Sequence, residues 1–290
     1  MVNEHFKGAD SGPENPEAGF KAGVESLPSE EHLERNEDAA LCDEANGVFG
    51  VFDGMGGHQA GEVASRMARD FFAARLGNLP PNLSPSETAE TIKGFCEEVA
   101  REVLETVKSD PIKYKGMGST ATIVRICRNS KERKAVVANM GDSRVYKFSP
   151  DGRLEQLTLD DSRWRFEFRP EDRQQAYEFQ RVWNNASGPA DLPEKMRGYW
   201  NIRHIIWSAI GHAGSKPSID IFDLEDDDEL LITSDGVTDN LRDKDIEDIL
   251  KQIKDKKAAA QALVNKAREI SHDESNPRAK PDDMTAVVVG

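Results

Sequence analysis

The sequence predicts an α+β protein in which antiparallel sheets carry helices on their outer faces. Three observations predict it. Strand-like segments come in runs, helical segments come in pairs, and 290 residues with 37% hydrophobic content are enough for one sizeable core.

Taken in order, residues 1–19 hold Gly8, Gly12, Pro13 and Pro16 among acidic and polar neighbours. Such a stretch buries little apolar surface and reads as a flexible arm, so the folded domain should occupy 20–290. Residues 48–52 form a short apolar, β-branched and aromatic run that ends in a glycine-rich turn, as a buried strand does. A helix follows, because Val63, Met67 and Phe71 recur at steps of four beside Ala64, Ala68 and Phe72, and Gly77 supplies its stop. Ser84, Pro85 and Glu87 make a capping box with proline at the first helical position, opening a second helix with the stripe Ile92, Phe95, Val99, Val103 and Val107. The period then changes, and 120–126, 134–139, 145–148 and 154–158 read as strands, with Pro150, Asp151 and Gly152 turning one hairpin. Strands at 219–222 and 229–233, helices from Asp243 and from Ala258, and a closing strand at 284–289 complete the pattern.

The formal net charge of -15 sets the chain against nucleic-acid phosphates and anionic membrane surfaces, while it suits a protein that binds cations. No run of about 18 apolar residues and no apolar leader is present, which points to the cytoplasm. Cys42, Cys96 and Cys127 are odd in number and far apart, so they fit neither a disulfide framework nor a zinc site and are expected to be buried and inert.

Four aspartates share one placement. Asp53 follows the strand at 48–52, Asp235 follows that at 229–233, Asp142 sits in a turn between strands, and Asp282 precedes the last strand. Each has an ordinary reading as turn chemistry, yet strand ends can converge at one edge of a sheet. A cluster of carboxylates repels itself unless cations neutralise it, and oxygen-only ligands suit Mg²⁺ or Mn²⁺. The stretch from Gly54 to Gly61 joins a strand to a helix, but Gln59 stands where a dinucleotide loop needs its third glycine and no Walker lysine follows.

Six motifs then appear in order: Asn36-Glu37-Asp38, Asp53-Gly54-Met55-Gly56-Gly57-His58, Gly118-Ser119-Thr120-Ala121, Gly141-Asp142-Ser143-Arg144, Ser234-Asp235-Gly236 and Asp282-Asp283-Met284-Thr285. Together they resemble the metal-dependent serine/threonine protein phosphatases of type 2C, and the glycine-rich second motif resembles the bacterial members. The resemblance implies a four-layer α-β-β-α sandwich, two antiparallel sheets flanked by helix pairs, with a two-metal site where the sheets open. By the match, Asp53 bridges two Mn²⁺ or Mg²⁺ ions, Glu37 and the Gly54 carbonyl complete one, and Asp235 with Asp282 holds the other. Asp142 with Asp235 corresponds to a third, weaker ion. Asp53 and Asp38 form the catalytic pair, Asp38 accepting hydrogen bonds from metal-bound water. The implied reaction is hydrolysis of phosphoserine and phosphothreonine esters in a protein substrate by metal-activated water, with no protein nucleophile.

The chain departs from the family pattern at two places. Leu33 stands where relatives carry a phosphate-binding arginine, which leaves Arg35 as its substitute if a strand places the two side chains on one face. Met55 stands where many eukaryotic relatives have a histidine, a role that His58 does not simply inherit. Asp283 takes the place of a frequent asparagine. Between 160 and 210 lies a segment resembling the family's flap, with all four tryptophans, Trp164, Trp183, Trp200 and Trp207. From 163 to 203 it has eight Lys/Arg against six Asp/Glu, a basic island in an acidic chain. It could grip a phosphorylated segment, although the tryptophans more readily form the flap's own small core. Residues 226–229 read as a solvated acidic turn. Two alternatives stand beside the phosphatase: a pseudophosphatase or regulatory binding protein of the same fold, which the loss at Leu33 favours, and a small-molecule phosphate monoesterase. In each case the protein is expected to be a monomer.

Overall fold

The computed structural model describes residues 19–56, 60–128 and 132–290. Apart from Gly19, the expected arm lies outside these residues, and so does His58.

The chain forms β1 (Ala22–Leu27), β2 (Asp38–Asp43), β3 (Val48–Met55), α1 (Ala60–Leu76), α2 (Pro85–Ser109), β4 (Gly118–Ser119), β5 (Ala121–Arg128), β6 (Arg133–Met140), β7 (Arg144–Phe148) and β8 (Leu154–Gln156). It continues through α3 (Arg173–Asn185), β9 (Ser218–Leu224), β10 (Glu229–Thr233), α4 (Asp235–Thr238), α5 (Asp243–Gln252), α6 (Lys256–Ser271) and β11 (Met284–Val289). One sheet runs β1-β11-β10-β7-β8 and the other β2-β3-β5-β6-β9, with β4 paired to β3. The pairings within both sheets are antiparallel.

Strand alternation builds the layers, since successive side chains point to opposite faces. In β3, Phe49 and Val51 join the core between the sheets, whereas Val48 and Phe52 join the core under α1 and α2. In β11, Val287 and Val289 face the other sheet, while Ala286 and Val288 pack with Leu263 and Val264 of α6. The four-layer α-β-β-α architecture follows from these opposite faces. On α2 the capping box is present, the Ser84 hydroxyl accepting from the Glu87 amide at 3.2 Å and the Glu87 carboxylate accepting from the Ser84 amide at 2.9 Å.

Several expectations need correction. β3 extends through Met55, so Asp53 lies within the strand rather than after it. Residues 30–32 are a 3-10 turn that Ser29 caps, not a strand, so Leu33 and Arg35 share no strand face, and Leu33 is 61% exposed. Cys96 is buried as expected, but Cys127 is only partly so and Cys42 is exposed. Residues 226 and 227 do form an exposed acidic turn, as expected, but it is anchored at its base. The Arg133 guanidinium donates to the carbonyls of Glu225 and Asp226, and the buried Asp228 carboxylate caps the Glu225 amide at 2.9 Å.

The flap has a core of its own. Trp164, Trp183 and Trp200 are buried with Ala176, Phe179, Leu192 and Met196, so three of the four tryptophans form the flap's interior. Trp207 is 41% exposed and stacks instead on the exposed Phe166, ring centroids 5.6 Å apart.

Candidate active site

Antiparallel pairing gathers the ends of β3, β6 and β10 and the starts of β2, β5, β7 and β11 at one end of the sandwich. The motif residues stand there. Asp38 and Asp53 are direct partners across the β2-β3 ladder, and the Gly54 amide donates to the Glu37 carbonyl at 3.1 Å. Gly54 must be glycine because a Cβ there would collide with the backbone of Gly61 and Glu37. Gly236 is under the same constraint from the carbonyl of Asp283.

The motif residues without carboxylates act as scaffold. The Asp53 amide donates to the Thr120 hydroxyl at 2.8 Å, the Thr120 amide returns a bond to the Asp53 carbonyl at 2.8 Å, and the Thr120 and Ser143 hydroxyls lie 3.0 Å apart. Arg144 closes the layer below with a buried, two-pronged ion pair to Asp160 at 2.9 and 2.7 Å. From the other sheet, Ser234 donates its hydroxyl proton to Asp38 at 2.7 Å while accepting from the Thr285 amide at 2.9 Å.

Asp283, which takes the place of a frequent asparagine, is a clasp. One carboxylate oxygen accepts from the Ser29 amide and the other from the Glu37 amide, both at 2.7 Å, which fixes the segment that carries Glu37. His32 lies 3.7 Å from the same carboxylate, and His32, Glu37 and Asp283 offer donor atoms within 4.8 Å of one another.

The carboxylates repel one another. Burial, then the charges of Asp38, Asp235, Asp282 and Asp142, hold the Asp53 carboxyl well above its usual range. Burial and Asp235 do the same to Asp142, and burial pushes Asp282 up to about 6. Glu37 is raised chiefly by burial, and Asp38 by burial against the opposing Ser234 bond. Four buried carboxylate oxygens, Glu37 Oε1, Asp38 Oδ1, Asp235 Oδ1 and Asp239 Oδ2, have no hydrogen-bond partner. Hard oxygens that are crowded, partly unpaired and short of positive charge are what a small divalent cation satisfies, so the residues fit such ions. The Arg35 Nε is also buried without a hydrogen bond, 3.7 Å from Glu37 Oε1.

Two site residues escaped the sequence reading. Asp239 lies one helical turn after Asp235, its amide donating to the Asp235 carbonyl at 2.6 Å, a spacing of four that the sequence does contain. Lys280 directs its ammonium at Asp235, at Asp239 (2.9 Å) and at Asp282 (3.0 Å), and it carries no motif signature.

A sequence model for protein phosphatase 2C matches residues 31–271. The chain belongs to this family. It is a metal-dependent serine/threonine protein phosphatase. Serine/threonine phosphatase stp of Listeria welshimeri is 29% identical over 220 residues, covering 75% of this chain and 77% of that protein. The S. agalactiae serine/threonine phosphatase superposes with a TM-score of 0.71 at 26% identity, over 93% of this chain and 98% of that one. The catalytic domain of the phosphatase PstP, solved in complex with two manganese ions, shares the fold with a TM-score of 0.67 at 22% identity, over 93% of this chain and 97% of that one.

Proposed function

We propose that this phosphatase hydrolyses phosphoserine and phosphothreonine in proteins with two Mn²⁺ or Mg²⁺ ions held among its strand-end carboxylates. The carrying observation is the buried oxygens of Glu37 and Asp235 that lack hydrogen-bond partners within a set of carboxylates that lacks enough positive charge. Asp53 would be shared by both ions, Glu37 and the Gly54 carbonyl would serve one, and Asp235 with Asp282 the other. Asp142 with Asp235 would hold a third ion more weakly. The manganese pair of the related PstP domain supports this count. When bound, such ions lower the pKa of water and neutralise phosphate charge.

The protein's own groups then have distinct tasks. Asp38, fixed by Ser234, offers a carboxylate that accepts a proton from the attacking water while staying aligned with Asp53. Arg35, beside Glu37 and short of a hydrogen bond, is the group available to receive phosphate oxygens in place of the arginine missing at Leu33. The cysteines lie on β2, α2 and β5 and offer no activated nucleophile, the Cys96 thiol being pushed up to about 12 by burial.

A cleft of about 410 Å³ at the flap is lined by Arg165, Phe166, Trp207, Asn139 and Asp161. Asp161 accepts from the Gly141 amide at 3.1 Å, next to Asp142, so a phosphorylated segment in this cleft would lie beside the carboxylates. No helix among the described residues is long and apolar enough to cross a membrane. In this reading the phosphatase is a cytoplasmic monomer, and its net charge of -15 supports action on proteins rather than on nucleic acid or at anionic membranes.

The test is hydrolysis of p-nitrophenyl phosphate and a phosphothreonine peptide with Mn²⁺, with Mg²⁺ and with chelator, Asp235→Asn serving as the contamination control. Metal-dependent turnover that the variant loses, with the peptide preferred over small phosphate metabolites, is expected. Absence of turnover in folded protein with either metal would leave a pseudophosphatase.

A further inference from the structure

We infer that Lys280 is a built-in cation of the site, whose ammonium competes with the divalent ion that Asp235 and Asp282 would hold. This rests on the metal assignment proposed above and adds a regulator to it. Lys280 does not reach the cluster by chance of side-chain flexibility. Its amide donates to the Asn240 side-chain oxygen at 3.0 Å, and its carbonyl accepts from the Asn240 amide nitrogen at 2.9 Å, so the backbone at 280 is clamped on both sides. Asn240 is itself anchored, fully buried and donating to the Gly236 carbonyl at 2.8 Å.

From that anchor the ammonium meets three carboxylates, those of Asp235, Asp239 and Asp282. Asp239 also receives Arg203 from the flap at 3.2 Å, so one of the three already has a second cation while Asp235 and Asp282 depend on Lys280. Among the described residues Lys280 forms no ion pair with Glu37 or Asp53. Its competition is therefore one-sided. An ion on Glu37, Asp53 and the Gly54 carbonyl keeps its ligands, whereas an ion on Asp235 and Asp282 must displace the lysine and tolerate its charge nearby. The two positions should fill at well-separated metal concentrations, and the second should be the one that responds to the cell's supply of divalent ions.

The experiment counts Mn²⁺ bound per chain by calorimetric titration, with melting temperatures in chelator, for the wild type, Lys280→Met, Lys280→Gln and Asp53→Asn. The wild type should bind one Mn²⁺ tightly, a second weakly, and the third, on Asp142 and Asp235, more weakly still. Removing a unit charge at ion-pair distance should tighten the second constant by at least about tenfold and leave the first unchanged. In chelator, both lysine variants should melt below the wild type and gain more from Mn²⁺. If either folded lysine variant binds both ions as the wild type does, the inference is overturned. Asp53→Asn separates the two levels. It should lose the tight ion, and Mn²⁺ binding unchanged in that variant would remove the metal assignment itself and the competition with it.

Discussion

The Ser234 hydroxyl donates to the buried Asp38 carboxylate across 2.7 Å, and this bond joins the end of β10 in one sheet to the start of β2 in the other. Ser234→Ala would leave a buried carboxylate oxygen without its donor, at about 1–3 kcal/mol. Because Asp38 would also lose its alignment, kcat should fall about 10- to 100-fold. Thermal melting and steady-state kinetics with Mn²⁺ check both figures, and an unchanged kcat would remove Asp38 from the reaction.

Asp53→Asn keeps the shape of the side chain and relieves repulsion among the carboxylates. It should leave melting in chelator the same or higher, yet lower kcat by more than the roughly 100-fold typical of an outer partner. An active, manganese-stimulated variant would show that Asp53 is not shared between the ions.

Arg35→Ala should raise KM for p-nitrophenyl phosphate about tenfold and alter kcat less, since a group that binds phosphate equally in ground and transition states acts on KM. Lysine at the same position should restore only part of this, because it lacks the guanidinium fork. A KM equal to the wild type's would mean that Arg35 serves Glu37 alone.

Arg144→Met should cost about 3–5 kcal/mol in denaturant unfolding, because Asp160 would remain as a buried, unpaired charge. Adding Asp160→Leu should recover much of the loss. A double variant as unstable as the single one would assign the cost to packing rather than charge.

Asp161 predicts a pH effect. Burial pushes its carboxyl up to about 7 from the ordinary 3.8, so between these values the folded state keeps a proton that the unfolded chain releases. The stability it contributes is complete below the unfolded value and is lost as pH rises through about 7. Asp161→Asn, neutral throughout, should flatten the fall in unfolding free energy between about pH 4 and about pH 7 by about 1–3 kcal/mol. Parallel profiles for the two proteins would place the Asp161 charge in contact with water.

The elements that were legible in the sequence carry their own signals. The capping box of α2 and the apolar run of β11 are local facts, and the six motifs fix the site because each needs a particular residue at a strand end. β1 and β2 were illegible because Ala-Gly-Val-Glu-Ser-Leu and Asp-Ala-Ala-Leu-Cys-Asp mix polar and small residues. They become strands through partners 257 or more positions away for β1, as Leu27 with Met284, and through the ladder with β3 for β2. Helix α3 hides its stripe of Ala176, Phe179 and Trp183 in a charged segment. Lys280 and the clasping role of Asp283 were missed for one reason: both depend on what the chain brings beside them, an ammonium among carboxylates and a carboxylate beneath two amides.

Arg278 donates from its buried guanidinium to the carbonyls of Asn184 and Ala186 from the flap, of Thr238 at the end of α4 and of Leu241 beyond it. Trp200 of the flap donates to the carbonyl of Pro277 at 3.1 Å, and Arg203 reaches both the Arg278 carbonyl and Asp239. The flap is therefore spliced into the same loop that delivers Lys280 and Asp282. A chimera that exchanged only this insert would replace the carbonyls that hold Arg278 and the arginine on Asp239, so the loop bearing Lys280 and Asp282 would change its anchors together with the flap.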